Sequence, residues 1–280
     1  MTQQQLQALR AEVRAWLGEN VPPDLDLPGS DEDITPELEA WTLEFRRKLG
    51  EKGWLAPAWP KYFGGGGYTP QASAAIMQEV NRLRLPPLSV SMTFLVPMRA
   101  WGTEEQKERW LVPTLRGEIT VSQLQSEPST GTDLATQHTT AIRDGDDYIV
   151  NGEKGFTSEP LTPDYLFSIV TTDPGGPKYE NLSMLLISAK DPGVTIHRRQ
   201  SLIGRTMRSF EFKDVRVPVV DVIGGEGGGW EVAQTLLDVE RGGMGITLDE
   251  RKAIEDRERE RWVKLPPPPP PPPPPRSSTD

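Results

Sequence analysis

The spacing of apolar residues changes once, near Ile119, and that change limits the possible folds more than any other feature of this 280-residue chain. Before it the spacing is helical. Leu6, Leu9, Val13, Trp16 and Leu17 recur at three- and four-residue steps, and Pro22-Pro23 ends that helix. Thr35-Pro36 places an N-cap ahead of a proline at the first helical position, opening a helix through Trp41, Phe45 and Leu49. Thr69-Pro70 repeats the device before Ala74, Met77, Val80 and Leu83. Thr103 with Gln106 forms a capping box before Trp110 and Leu111. Trp59-Pro60 and the glycine run 64–67 join two of these helices.

After Ile119 the pattern becomes β-like: 139–143, 148–151, 165–171, 183–188, 194–198 and 209–215 are short β-rich runs. Asp144-Gly145-Asp146, Asp173-Pro174-Gly175-Gly176 and Asp191-Pro192-Gly193 separate them as turns. A helix restarts over 229–245 with Trp230, Ala233, Leu236 and Leu237 on one face. Residues 248–262 are almost continuously charged, with little apolar face to bury, and ten prolines follow at 266–275. As polyproline II that run would reach about 31 Å at ~3.1 Å per residue. These signals predict an α+β chain. A helical domain spans 1–118, and a small antiparallel β-barrel domain spans 119–225. A third segment, 226–247, holds a further helix, and 248–280 is a disordered tail.

Composition excludes several chemistries. The formal net charge of −10 argues against nucleic acid or an anionic membrane as partner. Any anionic ligand must therefore meet a local basic cluster, for which His197-Arg198-Arg199, Arg205 and Arg208 are the candidates, against the alternative of a solvated strand face. Without Cys there is no disulfide, thiol nucleophile or thiolate metal site. His138 and His197, the only histidines, are far apart and lack the companions of a hydrolase triad or a metal centre, so no metal is expected. No stretch has a signal-peptide core or the apolar length of a membrane span, and the expected location is the cytoplasm. The glycines of 64–67 and 224–229 lack the setting of a P-loop or a dinucleotide-binding turn.

Two strings carry the chemistry. Gln123-Leu124-Gln125-Ser126-Glu127-Pro128-Ser129-Thr130-Gly131-Thr132-Asp133 ends one strand-like run, and Val150-Asn151-Gly152-Glu153-Lys154-Gly155-Phe156-Thr157-Ser158 ends another. Hydroxyls and backbone amides beside one aromatic wall suit a flat heterocycle with a hydrogen-bonding edge, as in a flavin. Read alone, the first string is merely a turn and Phe156 merely core.

Nine strings recur in the order of one family: Gly53-Trp54-Leu55-Ala56-Pro57, Trp59-Pro60, Gly64-Gly65, Gly102-Thr103-Glu104-Glu105-Gln106-Lys107, Ser126-Glu127-Pro128, Gly131-Thr132-Asp133-Leu134, Asn151-Gly152-Glu153-Lys154, Phe212-Lys213-Asp214-Val215-Arg216-Val217-Pro218 and Glu240-Arg241. Over roughly residues 5–246 the chain resembles the acyl-CoA dehydrogenases. The resemblance implies FAD as cofactor, an acyl-CoA substrate and an electron-transfer flavoprotein as electron acceptor. By the same resemblance Gln123, Gln125 and Ser126 line the pyrimidine edge of the flavin, and Gly131 and Thr132 bind its phosphate region. Phe156, Thr157 and Ser158 flank the ring, with Ser158 near N5. Phe156 stands where the family usually has Trp, and Thr132 where it usually has Ser. Glu240 is the candidate base for the α-proton; the alternative is an ion-paired helix residue.

The family continues with a helical bundle that completes the pocket and builds a homo-oligomer, so the chain reads as a truncated member with weakened FAD binding and doubtful oligomerisation. The competing functions are a non-catalytic relic or partner subunit, and a flavin oxidase or monooxygenase on the same scaffold. Acyl chain length and branching are not encoded in these motifs.

Overall fold

A computed structural model describes residues 1–28, 34–88, 90–158, 160–201 and 206–261. Helix α1 (Gln3–Asn20) is opened by a Thr2–Gln5 capping box, α2 (Pro36–Glu51) by Thr35 and α3 (Pro70–Asn81) by Thr69. Each threonine hydroxyl accepts an amide that a helix start leaves unbonded. Leu9, Val13 and Leu17 of α1 pack with Phe45, Leu49, Trp54, Ile76 and Val80 in one core. Helix α4 (Met92–Trp101) precedes a rod made of α5 (Glu104–Gln106), a π-turn (Lys107–Leu111) and α6 (Val112–Leu115). The π-turn falls where Pro113 lacks an N–H for the preceding turn, which accounts for the wider winding.

On α3, Glu79 accepts from Arg10 Nη1 at 2.7 Å, Arg14 Nε at 2.6 Å and Arg82 Nη1 at 3.2 Å. The Arg14 hydrogen bond, with Arg10 and Arg82, holds the carboxyl at about 2 against its ordinary 4.5. The folded value is the depressed one, so this cluster stabilises the fold above pH 4.5 and the benefit is lost as pH falls through about 2. Arg14 and Arg82 are more than half exposed, so screening leaves about 1 kcal/mol. Urea unfolding of the wild type and Glu79→Gln should therefore differ at neutral pH and converge toward pH 2. Parallel pH curves for the two would remove Glu79 from the acid response.

Among the described residues eight strands form one sheet: β1 (Val121–Leu124), β2 (Thr140–Asp144), β3 (Asp147–Thr157), β4 (Tyr165–Thr171), β5 (Leu182–Ser188), β6 (Val194–Gln200), β7 (Thr206–Pro218) and β8 (Val222–Ile223). The order is β6-β7-β3-β2-β4-β5-β8, with β1 added on β4. The expected closed antiparallel barrel is corrected here. Among the described residues β6 and β8 do not pair, and β1 and β2 both run parallel to β4. The cause is local to β4. β2 meets it only at Thr140↔Thr171, and β1 takes the remaining edge from Tyr165 to Ser168.

Side chains of β4 and β5 alternate between two cores. Phe167, Ile169, Met184 and Leu186 face the helices, while Leu166, Val170, Leu185 and Ile187 face β3 and β7. Phe94 of α4 meets Phe167 edge-on at 5.3 Å, joining the helices to the sheet.

Helix α7 (Gly229–Glu240) lies against the same core through Val232, Ala233 and Leu236. The expected disorder from residue 248 is corrected as far as 261. Residues Leu248–Arg261 form α8, started by a Thr247–Glu250 capping box. Two residues seat it: Ile254 is buried, and Glu258 accepts from Arg99 Nε at 2.8 Å, Arg99 Nη2 at 2.6 Å and Tyr62 Oη at 2.9 Å. The polyproline run and Arg205 lie outside the described residues. No helix among the described residues is long and apolar enough to cross a membrane.

Candidate functional site

The exits of β1 and β3 lie side by side, since the Gly155 amide donates to the Ser126 carbonyl at 2.9 Å. A buried charge pair fixes this arrangement. Lys154 Nζ, wholly enclosed, donates to Glu127 Oε1 at 2.9 Å, to the Gln125 carbonyl at 3.4 Å and to Gln137 Oε1. Glu127 also accepts the amides of His138 at 2.7 Å and Thr139 at 2.9 Å. Burial pushes the Glu127 carboxyl up, but Lys154 and the two amides outweigh it and hold it below its usual range. Burial brings the Lys154 ammonium down to about 8, so both partners are charged at pH 7. One ion pair thus ties residues 125–127 to the end of β3.

Immediately after Lys154 the β3–β7 register slips between Lys154 and Thr157. This bulge turns Phe156 out of the sheet. Its φ is 64°, a strained value for an aromatic residue, and the ring is 60% exposed. Thr157 is buried and Ser158 exposed. On the neighbouring segment Gln123 is half-buried, with an enclosed Oε1 that has no hydrogen-bond partner. Gly131, at φ 62°, and Thr132 lie on the exposed turn beyond Glu127. Thr130 Oγ1 on that turn is likewise enclosed and unbonded.

Glu240, at the end of α7, meets the exit of β1: Gln125 Nε2 donates to its Oε2 at 3.5 Å. Among the described residues it makes no ion pair. The structure therefore links Gln125 to Glu240, and Ser126 to the segment that carries Phe156. It leaves Gly131 and Thr132 on their turn, with no hydrogen bond from it to the Phe156 segment among the described residues. Arg208 serves the fold instead. Its guanidinium is buried and donates to the carbonyls of Leu161 at 2.7 Å and Pro160 at 2.8 Å, so it is not a solvent-facing contact for phosphates. Arg198 and Arg199 remain exposed on β6.

The sequence motifs contained Glu127 and Lys154 without a role for either. The available signal was parity: Lys154 shares the inward side of β3 with Tyr148 and Val150. The site is an open face. A cleft of about 560 Å³ lies elsewhere, between the end of α2 and the glycine run 64–67. An exposed aromatic on one strand exit, with amide and hydroxyl side chains on the neighbouring one, is the kind of residue set that the planar ring and polar edge of a flavin would need.

A helical domain packed on a mixed sheet, with polar side chains where two strand exits meet, is the arrangement on which the comparisons bear. Family models for the acyl-CoA dehydrogenase N-terminal domain and middle domain match residues 3–118 and 122–215. The chain belongs to the acyl-CoA dehydrogenase family.

Acyl-CoA dehydrogenase FadE29 of Mycobacterium tuberculosis is 35% identical over 235 residues, which is 83% of this chain and 60% of that protein. A solved structure named Tcur3481-Tcur3483 steroid ACAD has a TM-score of 0.70 at 32% identity, covering 94% of this chain and 69% of that one. The ChsE4-ChsE5 complex from Mycobacterium tuberculosis has a TM-score of 0.64 at 32% identity, covering 85% and 61%. The chain spans about 50–65% of the length of the curated relatives it matches first.

Proposed function

We propose that this chain provides the flavin face and the base of an FAD-dependent acyl-CoA dehydrogenase that oxidises the α,β-bond of an acyl-CoA thioester. The observation that carries the reading is the hydrogen bond from Gln125, at the exit of β1, to the Glu240 carboxylate, with the exposed Phe156 on the neighbouring strand exit. Bound FAD supplies the acceptor for the β-hydride. Gln123, Gln125 and Ser126 orient the pyrimidine edge, and their donors favour the negative charge that develops there. Gly131 and Thr132 hold the phosphate region, Phe156 and Thr157 flank the ring, and Ser158 offers its hydroxyl near N5. Glu240 removes the α-proton.

The electrons leave to an electron-transfer flavoprotein, in the cytoplasm. Similar structures named steroid ACAD support a bulky ring-bearing acyl group as a test substrate beside straight chains.

A second reading is a partner subunit that retains the fold without turnover. It is favoured by two similar structures being two-component assemblies by name, Tcur3481-Tcur3483 and ChsE4-ChsE5. Titration of the apoprotein with FAD, followed by flavin fluorescence, separates the two. Saturable quenching that weakens on the order of ten-fold in Phe156→Ala supports the flavin face. Absence of saturable binding removes it and leaves the partner-subunit reading. Fast reaction of the reduced protein with oxygen would shift the assignment to an oxidase or monooxygenase.

A further inference from the structure

An ammonium group carries three N–H donors, and the neutral amine only two. Lys154 Nζ is wholly enclosed, and three acceptors surround it: the Gln125 carbonyl at 3.4 Å, Glu127 Oε1 at 2.9 Å and Gln137 Oε1. The charged form therefore has one acceptor for each donor. These acceptors come from three segments: Gln125 is at the exit of β1, Glu127 is in the following turn, and Gln137 precedes β2. Gln137 is itself buried. Its Nε2 donates to the Leu134 carbonyl at 2.8 Å, which aims Oε1 at the ammonium, and its own carbonyl accepts from Thr171 Oγ1 at 2.8 Å.

Loss of one proton leaves three acceptors for two donors. Glu127 is anionic and near, and the Gln137 amide is fixed from behind, so the Gln125 carbonyl, the most distant of the three, is the one released. The bond from the Gly155 amide to the Ser126 carbonyl at 2.9 Å then remains to hold the exit of β1 against β3.

Glu127 is the charged group that faces Lys154. Opposite on β7 stands the apolar Phe210, and Arg208 two residues before it donates to the carbonyls of Pro160 and Leu161. His138 gives Glu127 its backbone amide, while its exposed ring bonds Ser129 Oγ. Asp133 is engaged by Lys178. Glu153 and Glu211 pair across β3 and β7 on the other side of the sheet, beside Arg199 and His197. Burial and Glu226 push the Tyr148 hydroxyl, on the inward side of β3, up to about 12. Burial brings the Lys154 ammonium down to about 8, so its proton leaves just above neutrality.

We propose that Lys154 and Gln137 are positioning residues for the flavin, which keep Gln125 and Ser126 in place only while Lys154 carries its proton. The inference rests on the proposed flavin face and sets a pH limit on it. A complex that needs the Gln125 segment in place retains the proton that the free protein gives up. Affinity for FAD is therefore full below about pH 8 and falls as pH rises through that value, by about ten-fold per pH unit.

The test is FAD titration of the 280-residue chain by flavin fluorescence at pH 7 and pH 9. The wild type should bind about ten-fold more weakly at pH 9. Gln137→Met keeps the volume and removes one acceptor, so the two donors of the amine suffice for Gln125 and Glu127. Its affinity should be the same at both pH values, whereas a response of the flavin itself would appear equally in both proteins. If Gln137→Met does not fold, Gln137→Glu takes its place: a second carboxylate beside the ammonium retains the proton and moves the fall to higher pH. Equal wild-type affinity at pH 7 and pH 9 overturns the proposal, as does an unaltered fall in the variant.

Amide hydrogen exchange of residues 125–127 in the apoprotein, corrected for the intrinsic effect of pH, reads the same release without flavin. Protection should fall between pH 7 and pH 9 in the wild type and stay constant in Gln137→Met. Constant protection in the wild type overturns the proposal. Absence of FAD binding at every pH is the failure of the proposed function, and the exchange measurement then still decides the release of Gln125.

Discussion

Glu240→Gln is expected to lower turnover about 10²–10⁴-fold while FAD and acyl-CoA bind almost as before, the loss falling on kcat rather than KM. Glutamine keeps the shape, and its side chain can still bond Gln125, which donates to Glu240 Oε2 at 3.5 Å. What disappears is the carboxylate that Gln125 holds at the exit of β1. Stability provides the second reading of the same variant. A carboxylate in the last turn of α7 faces the negative end of the helix dipole, and no ion pair among the described residues offsets it. Removing the charge should therefore leave Tm unchanged or slightly higher. Unaltered kcat, or a fall in Tm large enough to account for lost activity, would make Glu240 a structural residue and place the base outside this chain's grouped side chains.

Lys154→Met should destabilise the fold by about 3–5 kcal/mol, because Glu127 would stay buried without its cation. Methionine fills most of the space, so the loss is electrostatic rather than a cavity effect. The Glu127→Gln/Lys154→Met double variant should recover much of the loss, since neither charge then remains enclosed. Urea unfolding of the two singles and the double measures the coupling directly. A cost below about 1 kcal/mol for Lys154→Met would mean that water or the Gln137 amide takes over the carboxylate. FAD affinity should fall in the same variants even where the fold survives. Lys154 Nζ also holds the Gln125 carbonyl at 3.4 Å, and that bond positions the first segment proposed to face the flavin.

The helical domain was legible because its signals are local. Thr35-Pro36, Thr69-Pro70 and the Thr103–Gln106 box each announce a helix within four residues, and all three cap helices in the structure. The sheet was only half legible. Alternation located strands near their true positions, but closure depends on which strand takes each edge of β4, a contest between segments far apart in sequence. Helix α8 was missed because its mean pattern is charged, although the Thr247–Glu250 box marked its start and Ile254 with Glu258 suffice to dock it.

In the site, the aromatic and amide residues announced themselves by type. The burial of Lys154 and Arg208 did not, since a cation in a strand reads as solvated until its parity and the bulge beside it are known.

The parallel pairing of β1 with β4 also bears on how the molecule comes together. Val121 finds its neighbour at Tyr165, across a hairpin and both segments proposed to face the flavin. That loop must close before β1 gains a ladder, and loop-closure entropy opposes it until the β4–β5 hairpin has formed. The caps of α1, α2 and α3, by contrast, need only a few adjacent residues. The caps are therefore expected to form before the exits of β1 and β3 come together, and the candidate face to be among the last parts of the molecule to assemble.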